Sequence, residues 1–535
     1  MGLEPTTPCL QSRCSSQLSY VPEIETSDAT AEAQLPSSVS RMNFRHLWIR
    51  RALLIPPLIG LTPAIFWWTI SQSKPFAVLD DYRMVSAVQG MKPFIIQGHA
   101  ETEFVTGRVV PAFLFDLVWS GVESIQDLFY VRVLGLAVVV TAVLIFQMWF
   151  VTYARIKSPL ALAAVGIFSF VVLLSPSVLA TTTWAQKTTQ LLALPLAILA
   201  GVLTTFRKLH ARGWCAVIAL IFLSVFCYQH FVAAAILPVA CAWGVNKFRL
   251  EHFAIRRLFF LLLMILIALI ANVLFVRLVA PDVLQRVSGR SLSNRAAEAW
   301  DVLGKGGHLF VRQSNSLIAI SLVVILSLFA ICLLLNRKLI FLFAGVVFSV
   351  GCAIAVTIGG DGDSSYRMSL PTQFSLWLGL GSLISLSLDH GRQRKILILK
   401  GLALTLLICI SAITVRDSQN TLHGRISTPN TRDWAELNCH LQSLQSAAVS
   451  REVVVRLAPI EIGGSSGVVS EIGLLARHVE WIFRDQLALA IDSDESLGFL
   501  NGTEFVVIDH DEELPTRKTD MLTIDLQTTC DSANW

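Results

Sequence analysis

Long apolar runs separated by short polar segments fill the chain between residues 51 and 415. A bilayer core about 30 Å thick needs roughly 20 apolar residues per helix, and most of these runs reach that length. The pattern therefore predicts an all-α polytopic membrane bundle. Its helices are predicted at Ala52–Ile70, Val131–Val151, Leu160–Ala180, Leu191–Phe206, Leu258–Ala280, Leu317–Leu335, Leu339–Ile358, Leu370–Leu388 and Ile396–Val415.

One further apolar stretch, residues 214–245, is longer and is interrupted by Tyr228-Gln229-His230. Short cytoplasmic loops concentrate Lys and Arg, and the basic segments 207–212 and 247–257 flank this stretch on both sides. Both flanks are therefore expected in the cytoplasm, which requires an even number of crossings. Two short helices that turn at residues 228–230 satisfy this requirement. The prediction is about eleven transmembrane helices, with the N-terminus in the cytoplasm and the C-terminus outside.

The two ends of the chain are more polar than the bundle. Residues 1–50 lack the apolar core of a signal peptide, which predicts a disordered cytoplasmic tail, with Met42 as an alternative start. Residues 416–535 predict a small extracytoplasmic α/β domain, in which a location outside the cell would allow a disulfide between Cys439 and Cys530. The predicted elements are helices at Thr431–Gln445 and Val468–Arg477 and strands at Glu452–Leu457 and Glu504–Ile508.

Composition supports a membrane location and argues against several functions. Of the 535 residues, 54% are hydrophobic and only 15% are charged, which is more apolar surface than the cores of soluble domains bury. The net charge of +4 is small and scattered, so no nucleic-acid partner is expected. The sequence has no Walker A loop for ATP and no cluster of Cys and His with zinc spacing, and no metal ligand is assigned.

The first outer loop, predicted at residues 71–130, holds the residues that can carry chemistry. It begins with Asp80-Asp81-Tyr82-Arg83, close to the first helix, where ionisable groups are costly unless they face water or partners. Gly107-Arg108 precedes the apolar stretch Val109–Trp119, which is too short to span and is expected along the membrane surface. The simpler alternative is a solvated loop that happens to contain two acids. Other ionisable residues of the loop are Lys92, His99, Glu101 and Glu103.

The order of these motifs resembles a known family. An acidic pair just after the first helix, in a large outer loop, is similar to the layout of GT-C glycosyltransferases. More narrowly, it resembles the type II glucosyltransferase (Gtr) family, which includes enzymes that glucosylate O-antigen. The sequence departs from that family at Arg83, where a small residue followed by Arg is expected. Between Leu53 and Ser387 the resemblance is carried by Asp80-Asp81-Tyr82-Arg83, Gly107-Arg108, Tyr228-Gln229 and Arg367.

The resemblance implies a multi-pass enzyme of the bacterial plasma membrane that transfers a hexose, with glucose favoured. The donor would be a polyprenyl-phosphate sugar and the acceptor a cell-surface glycan or glycolipid, with membrane lipid as the other partner. Asp80 or Asp81 would be the base that takes the acceptor proton. Adjacent side chains diverge by about 100° on a helix, so the second aspartate would hold the acceptor, a backbone amide or a metal ion. An acid pair alone does not establish a divalent cation.

Transfer from a lipid phosphate also requires cations that stabilise the departing phosphate. Arg108 is the strongest candidate, because it belongs to the family-like Gly-Arg pair. Snorkelling at the membrane interface is the alternative role for Arg367, and a mutual contact is the alternative for Gln229 and His230. The full set of candidates for phosphate or substrate binding is Arg83, Arg108, Gln229, His230, Arg290, Arg312 and Arg367.

Two other functions are compatible with the sequence. A non-enzymatic lipid-linked-sugar flippase or transporter would need charged residues in mid-membrane, whereas the predicted helices are nearly free of charge, with Arg277 as the main exception. A polysaccharide polymerase or ligase would place arginines in a large late outer loop, and Pro281–Ser316 offers such a loop. Separate changes of the two aspartates distinguish these functions, because a transporter would tolerate their loss.

Overall fold

The computed structural model of the chain is mostly helical, with a small parallel sheet near its C-terminus. Several predicted features lie outside the residues that the structure describes: the tail 1–50, Asp80, most of Leu317–Leu335, Val468–Arg477 and Cys530. The described residues are 55–74, 76–78, 81–89, 100–206, 209–246, 252–280, 292–307, 323, 327, 330, 339–359, 365–389, 394–444, 452–459, 478, 480–493, 495–500, 503–509, 511–512 and 521–527.

Apolar helices build the first half of the bundle. Pro159 and Pro176 each stand in the first turn of a helix, where the missing N–H of proline costs no hydrogen bond. A 3-10 helix, Ala185–Leu192, joins the helices Pro176–Thr183 and Ala193–Thr204. The helices, in chain order, are α1 (Ile55–Gln72), α2 (Asp81–Gln89), α3 (Val109–Trp119), α4 (Leu128–Ala154), α5 (Pro159–Leu173), α6 (Pro176–Thr183), α7 (Ala193–Thr204) and α8 (Ala211–Cys227).

The long apolar stretch 214–245 is broken where the sequence predicts. Helix α8 ends at Cys227, and Tyr228 adopts an extended conformation, φ −164° and ψ 110°. A 3-10 helix, Gln229–Ala235, then leads into the next helix, so the prediction of two short helices is confirmed. The helices that follow are α9 (Ile236–Val245), α10 (His252–Val279), α11 (Leu292–Gly307), α12 (Ile340–Gly359), α13 (Leu370–Asp389) and α14 (Arg394–Thr421).

Several helices have the length and composition of membrane spans. Among the described residues, four helices qualify, or five if α5 and α6, which are bent by 50° relative to each other, count as one span. Large apolar side chains such as Phe113, Phe259 and Leu278 stay exposed, which suits helices in contact with lipid. The chain therefore has the character of a multi-pass membrane protein. The qualifying helices are Ile125–Ala154, Ala185–Thr204, Arg256–Val279 and Ile340–Ile358.

The C-terminal region is an α/β unit, as predicted, and contains one strand that the sequence patterns did not reveal. Helix α14 continues through a π-helical turn, Leu422–Ser427, into α15 (Thr428–Ser443). The predicted domain boundary at residue 415 therefore falls inside a continuous helix. The remaining elements are β1 (Glu452–Arg456), α16 (Glu480–Ser493), β2 (Glu504–Ile508) and the additional strand β3 (Met521–Asp525). The strands are parallel in the order β2-β1-β3.

The bundle and the C-terminal unit each have a hydrophobic core. Trp68, Phe146 and Trp377 are among the large side chains buried in the bundle, while Val455 and Phe483 belong to a separate cluster between the sheet and its helices. A three-stranded sheet with helices packed against it can bury one apolar face. Cys439 of α15 is disulfide-bonded, and the predicted partner, Cys530, lies outside the described residues.

Candidate functional site

The helix that follows α1 begins with an acid. Asp81 is the first residue of α2, and its side chain is completely buried. One carboxylate oxygen, Oδ2, accepts hydrogen bonds from Arg132 Nη2 at 3.1 Å and from the backbone N–H of Val78 at 3.4 Å. The other, Oδ1, accepts from the backbone N–H of Gln186 at 3.2 Å. The carboxylate thus ties α2 to two other segments of the bundle.

Arg132 forms the other half of a buried ion pair. Its Nε donates to the carbonyl of Thr183 at 2.7 Å and its Nη2 to the carbonyl of Phe76 at 2.9 Å, while the guanidinium lies 3.9 Å from the centre of the Phe76 ring. Burial raises the pKa of Asp81 to about 6, although the charge of Arg132 opposes this shift. The ion pair is therefore complete at neutral pH and is lost as the pH falls through about 6.

A polar turn, residues 184–190, connects this ion pair to a group of cations. The turn follows α6, and its polar side chains from Gln186 to Gln190 are buried. The backbone of Gln186 reaches Asp81, and the next residue, Lys187, places its ammonium 4.8 Å from the centre of the Trp184 ring. Thr188 donates to the carbonyl of Val131 at 3.2 Å, which anchors the turn to α4.

A second buried acid, Glu103, lies on the other side of the polar turn. Gln190 donates to both of its carboxylate oxygens, at 2.9 and 3.0 Å, and Arg108 approaches both oxygens at 3.4 Å. Burial alone would raise the pKa of Glu103, but the charges of Arg108 and Lys187 outweigh it, so the pKa is lowered. Glu103 is consequently ionised at neutral pH and acts as the shared counter-ion of these two cations.

The Gly-Arg pair, Gly107-Arg108, is held in a tight turn by polar side chains. Gly107 adopts a positive φ of 81°, a conformation that favours glycine. Asn272 donates to the carbonyl of Gly107 at 2.7 Å. Gln229 donates to Asn272 at 3.0 Å and to the carbonyl of Thr106 at 3.2 Å. Gln229 therefore contacts the turn that presents Arg108.

The aromatic rings of Tyr228 and Trp184 lie against the cations of the site. The guanidinium of Arg108 lies 5.0 Å from the centre of the Tyr228 ring. That of Arg367 lies 5.0 Å from the centre of the Trp184 ring, which also contacts Lys187. Cation–π contacts of this kind orient positive groups without neutralising them. Arg108 thus lies against Tyr228, whereas Lys187 and Arg367 share the ring of Trp184, the residue at which the polar turn begins.

The remaining predicted site residues differ in their surroundings. His230 is buried, with its ring centre 5.3 Å from that of Tyr228, so it lies next to the ring that contacts Arg108. Arg83 is exposed on α2 and makes no ion pair with the described residues. It is not part of the cationic group. Other predicted residues, namely Asp80, Arg290 and Arg312, lie outside the described residues.

Sequence reasoning missed several residues of this site. Arg132 falls inside a predicted apolar helix, yet an ionisable residue in such a helix is itself a signal of function. Lys187 and Trp184 lie in the short polar segment between two predicted helices, and the sequence patterns predict no role for this segment. Glu103 lies only five residues before Arg108, so that pair could have been suggested by closeness in sequence. The pairing of Arg132 with Asp81 and the effect of Lys187 on Glu103 join residues that are distant in sequence, so local patterns do not reveal them.

Comparison with known proteins does not identify a family. No protein-family model, no curated protein and no solved structure matches this chain. Among the described residues, no group of three or more His, Cys, Asp or Glu side chains is arranged to hold a metal ion. Any functional conclusion therefore depends on the geometry of the site and on the resemblance of its motifs.

Proposed function

We propose that the chain is a membrane glycosyltransferase of the GT-C type. It takes a hexose, with glucose favoured by the resemblance, from an undecaprenyl- or decaprenyl-phosphate carrier. The acceptor is a cell-surface glycan or glycolipid, and the reaction occurs at the outer face of the bacterial plasma membrane. The bundle crosses the membrane about eleven times, with the N-terminus in the cytoplasm and the C-terminal domain outside.

The observation that carries this proposal is the meeting of acids and cations around one buried polar turn. Residues 184–190 contact Asp81 on one side and Glu103 on the other, and they adjoin Arg108, Lys187 and Arg367. Arg108, Lys187 and Arg367 bring three cations to one turn. Such a cluster suits a phosphate, whose charge becomes more negative when it leaves the sugar.

The chemistry follows from this arrangement. The acceptor oxygen attacks the anomeric carbon while a carboxylate takes the hydroxyl proton, and the bond between that carbon and the phosphate oxygen breaks. The electron pair leaves with the polyprenyl phosphate, which Arg108, Lys187 and Arg367 stabilise. Asp81 already accepts hydrogen bonds from two backbone amides and Arg132, so its role is to position α2. Asp80 is then the base, and a single displacement inverts the anomeric configuration.

The location of the C-terminal domain has independent support. Cys439 is disulfide-bonded, and disulfides persist in oxidising compartments outside the cytoplasm. The acid-bearing helix α2 packs against α16 of this domain, so both belong on the same side of the membrane. An outer-face reaction site agrees with a donor that is delivered in the lipid and with an acceptor on the cell surface.

Replacement of single cations tests the proposal. Lys187→Ala and Arg108→Ala should each lower kcat of sugar transfer by about 100-fold, as expected when one stabilising group is lost from a developing anion. Arg425→Ala is the matched control, because Arg425 is exposed and far along the chain from the polar turn, and it should keep full activity. The assay is transfer of radiolabelled hexose from polyprenyl phosphate by purified protein. Full transfer by Lys187→Ala and Arg108→Ala would contradict the proposed phosphate site.

A further inference from the structure

Helix α2 lies between the membrane bundle and the C-terminal domain. Its first residue, Asp81, contacts the bundle through Arg132. Consecutive residues on a helix diverge by about 100°, so the next residue, Tyr82, points in another direction. There it meets the C-terminal domain, and α16 packs along the same helix. The segment that carries the acids is thus held from two sides.

The contact of Tyr82 with the C-terminal domain includes a stack of two aromatic rings and a hydrogen bond from a side-chain amide. Tyr82 is completely buried, and its ring stacks on Trp434 with centroids 6.1 Å apart and an interplanar angle of 20°. Gln486 donates to the Tyr82 hydroxyl at 3.3 Å and to Asp433 at 3.4 Å. Burial, followed by the charge of Asp433, raises the pKa of Tyr82, so the phenol stays neutral at physiological pH.

The stacking partner belongs to an element that extends from the membrane bundle. Trp434 lies on α15, which continues α14 through the π-helical turn Leu422–Ser427 without a break. A continuous helix resists bending better than a loop, so the position of Trp434 is coupled to that of the last apolar helix. Gln486 comes from a separate part of the domain, on α16. Two elements of the domain therefore converge on one residue of α2.

We propose that the C-terminal domain is a positioning part of the catalytic unit, and that it acts through Trp434 and Gln486 on Tyr82. The domain holds the first turn of α2 against Arg132, which keeps Asp81 paired. This inference rests on the proposed function. It makes Trp434 a positioning residue, because Trp434 contacts the residue after the acid pair and not the substrate.

Substitutions at Trp434 in the full-length protein test the inference by separating kcat from KM. Trp434→Ala should lower kcat by about 100-fold, because a displacement of about 1 Å at the reacting group has that effect, while KM for polyprenyl-phosphate glucose stays within twofold. Trp434→Phe keeps an aromatic ring and should restore kcat to within about fivefold of wild type. The matched control is Arg432→Ala, at an exposed position on the same helix, where Arg432 pairs with Glu436 one turn away.

Hydrogen exchange at residues 81–89 provides a readout that does not depend on the reaction. Trp434→Ala should speed exchange in this segment at least tenfold while exchange in α4 stays unchanged, and Arg432→Ala should leave both unchanged. Tyr82→Phe keeps the stack, provides a second variant should Trp434→Ala misfold, and should speed exchange by a smaller factor. If wild type transfers no sugar, the proposed function fails, while faster exchange still supports the contact. Unchanged exchange, or an unchanged kcat in an active protein, would overturn the inference.

Discussion

Loss of either partner from the buried ion pair of Asp81 and Arg132 should destabilise the fold strongly. Removal of one member of such a pair leaves an uncompensated buried charge and costs about 3–5 kcal/mol. Among the described residues, the Asp81→Asn variant leaves the guanidinium of Arg132 with two carbonyls and a ring, but with no anion. Replacement of both residues, in Asp81→Asn/Arg132→Met, removes both charges and should recover most of the loss.

The two single variants should also differ in their pH dependence. An arginine stays charged, whereas Asp81 can accept a proton, and burial already raises its pKa to about 6. Without Arg132 this pKa rises further, so the Arg132→Met variant binds a proton above pH 6 that wild type does not. Stability falls with pH when the folded state holds the extra proton. The difference between Arg132→Met and wild type in the free energy of unfolding should therefore widen by about 2 kcal/mol between pH 6 and 7.5.

Reversible unfolding in mixed micelles, followed by circular dichroism, measures both effects. For Asp81→Asn the difference from wild type should change by less than about 0.5 kcal/mol between pH 6 and 7.5, because only the end of the wild-type titration of Asp81, with its pKa of about 6, falls in that range. The double variant should be at least about 2 kcal/mol more stable than the sum of the single losses predicts. Additive losses, together with a pH-independent gap for Arg132→Met, would refute the view that these residues form one charged pair.

Two further predictions concern the Gly-Arg turn and the pH profile. Gly107→Ala should lower the free energy of unfolding by about 1–3 kcal/mol and raise KM for the donor, because φ is 81° and an added Cβ would lie 2.7 Å from Asn272 Nδ2. Gly121→Ala is the control in the same unfolding and transfer assays, since an added Cβ there would have nothing within 4 Å. The kcat of transfer should fall about tenfold per pH unit below pH 6, because protonation of Asp81 breaks its ion pair. Glu103, whose pKa is lowered, adds no step between pH 5 and 8, so a flat profile from pH 5 to 7 contradicts this role of Asp81.

The helices of the bundle could be predicted because their signal is local. An apolar run of about 20 residues and the charges that flank it lie in one window of sequence, and the break at Tyr228 followed from the same reasoning. The strand β3, Met521–Asp525, was not predicted because its apolar residues are interrupted by Thr523, whereas β1 and β2, of the same length, contain unbroken apolar runs. Strands of this length are recognised by their neighbours as much as by their own residues.

The site was predictable only in part, for a related reason. Asp81 and Arg108 stood out because acids and a Gly-Arg pair near a predicted span are unusual. Arg132, the partner of Asp81, and Lys187, which shares Glu103 with Arg108, are separated from them in sequence by an apolar helix or more, and only the fold brings them together. Tyr82 looked like an ordinary neighbour of the acid pair, although it connects α2 to the C-terminal domain.

The central claim is that this chain moves a sugar from a lipid phosphate by means of the acids at the start of α2. The most direct test supplies purified protein with radiolabelled polyprenyl-phosphate hexoses in turn and follows the label that leaves the lipid. We expect one hexose to be transferred by wild type and by Arg425→Ala, and transfer to be lost in Asp80→Asn. Retention of all label on the lipid by folded wild-type protein, or full transfer by the variant lacking both Asp80 and Asp81, would contradict the account.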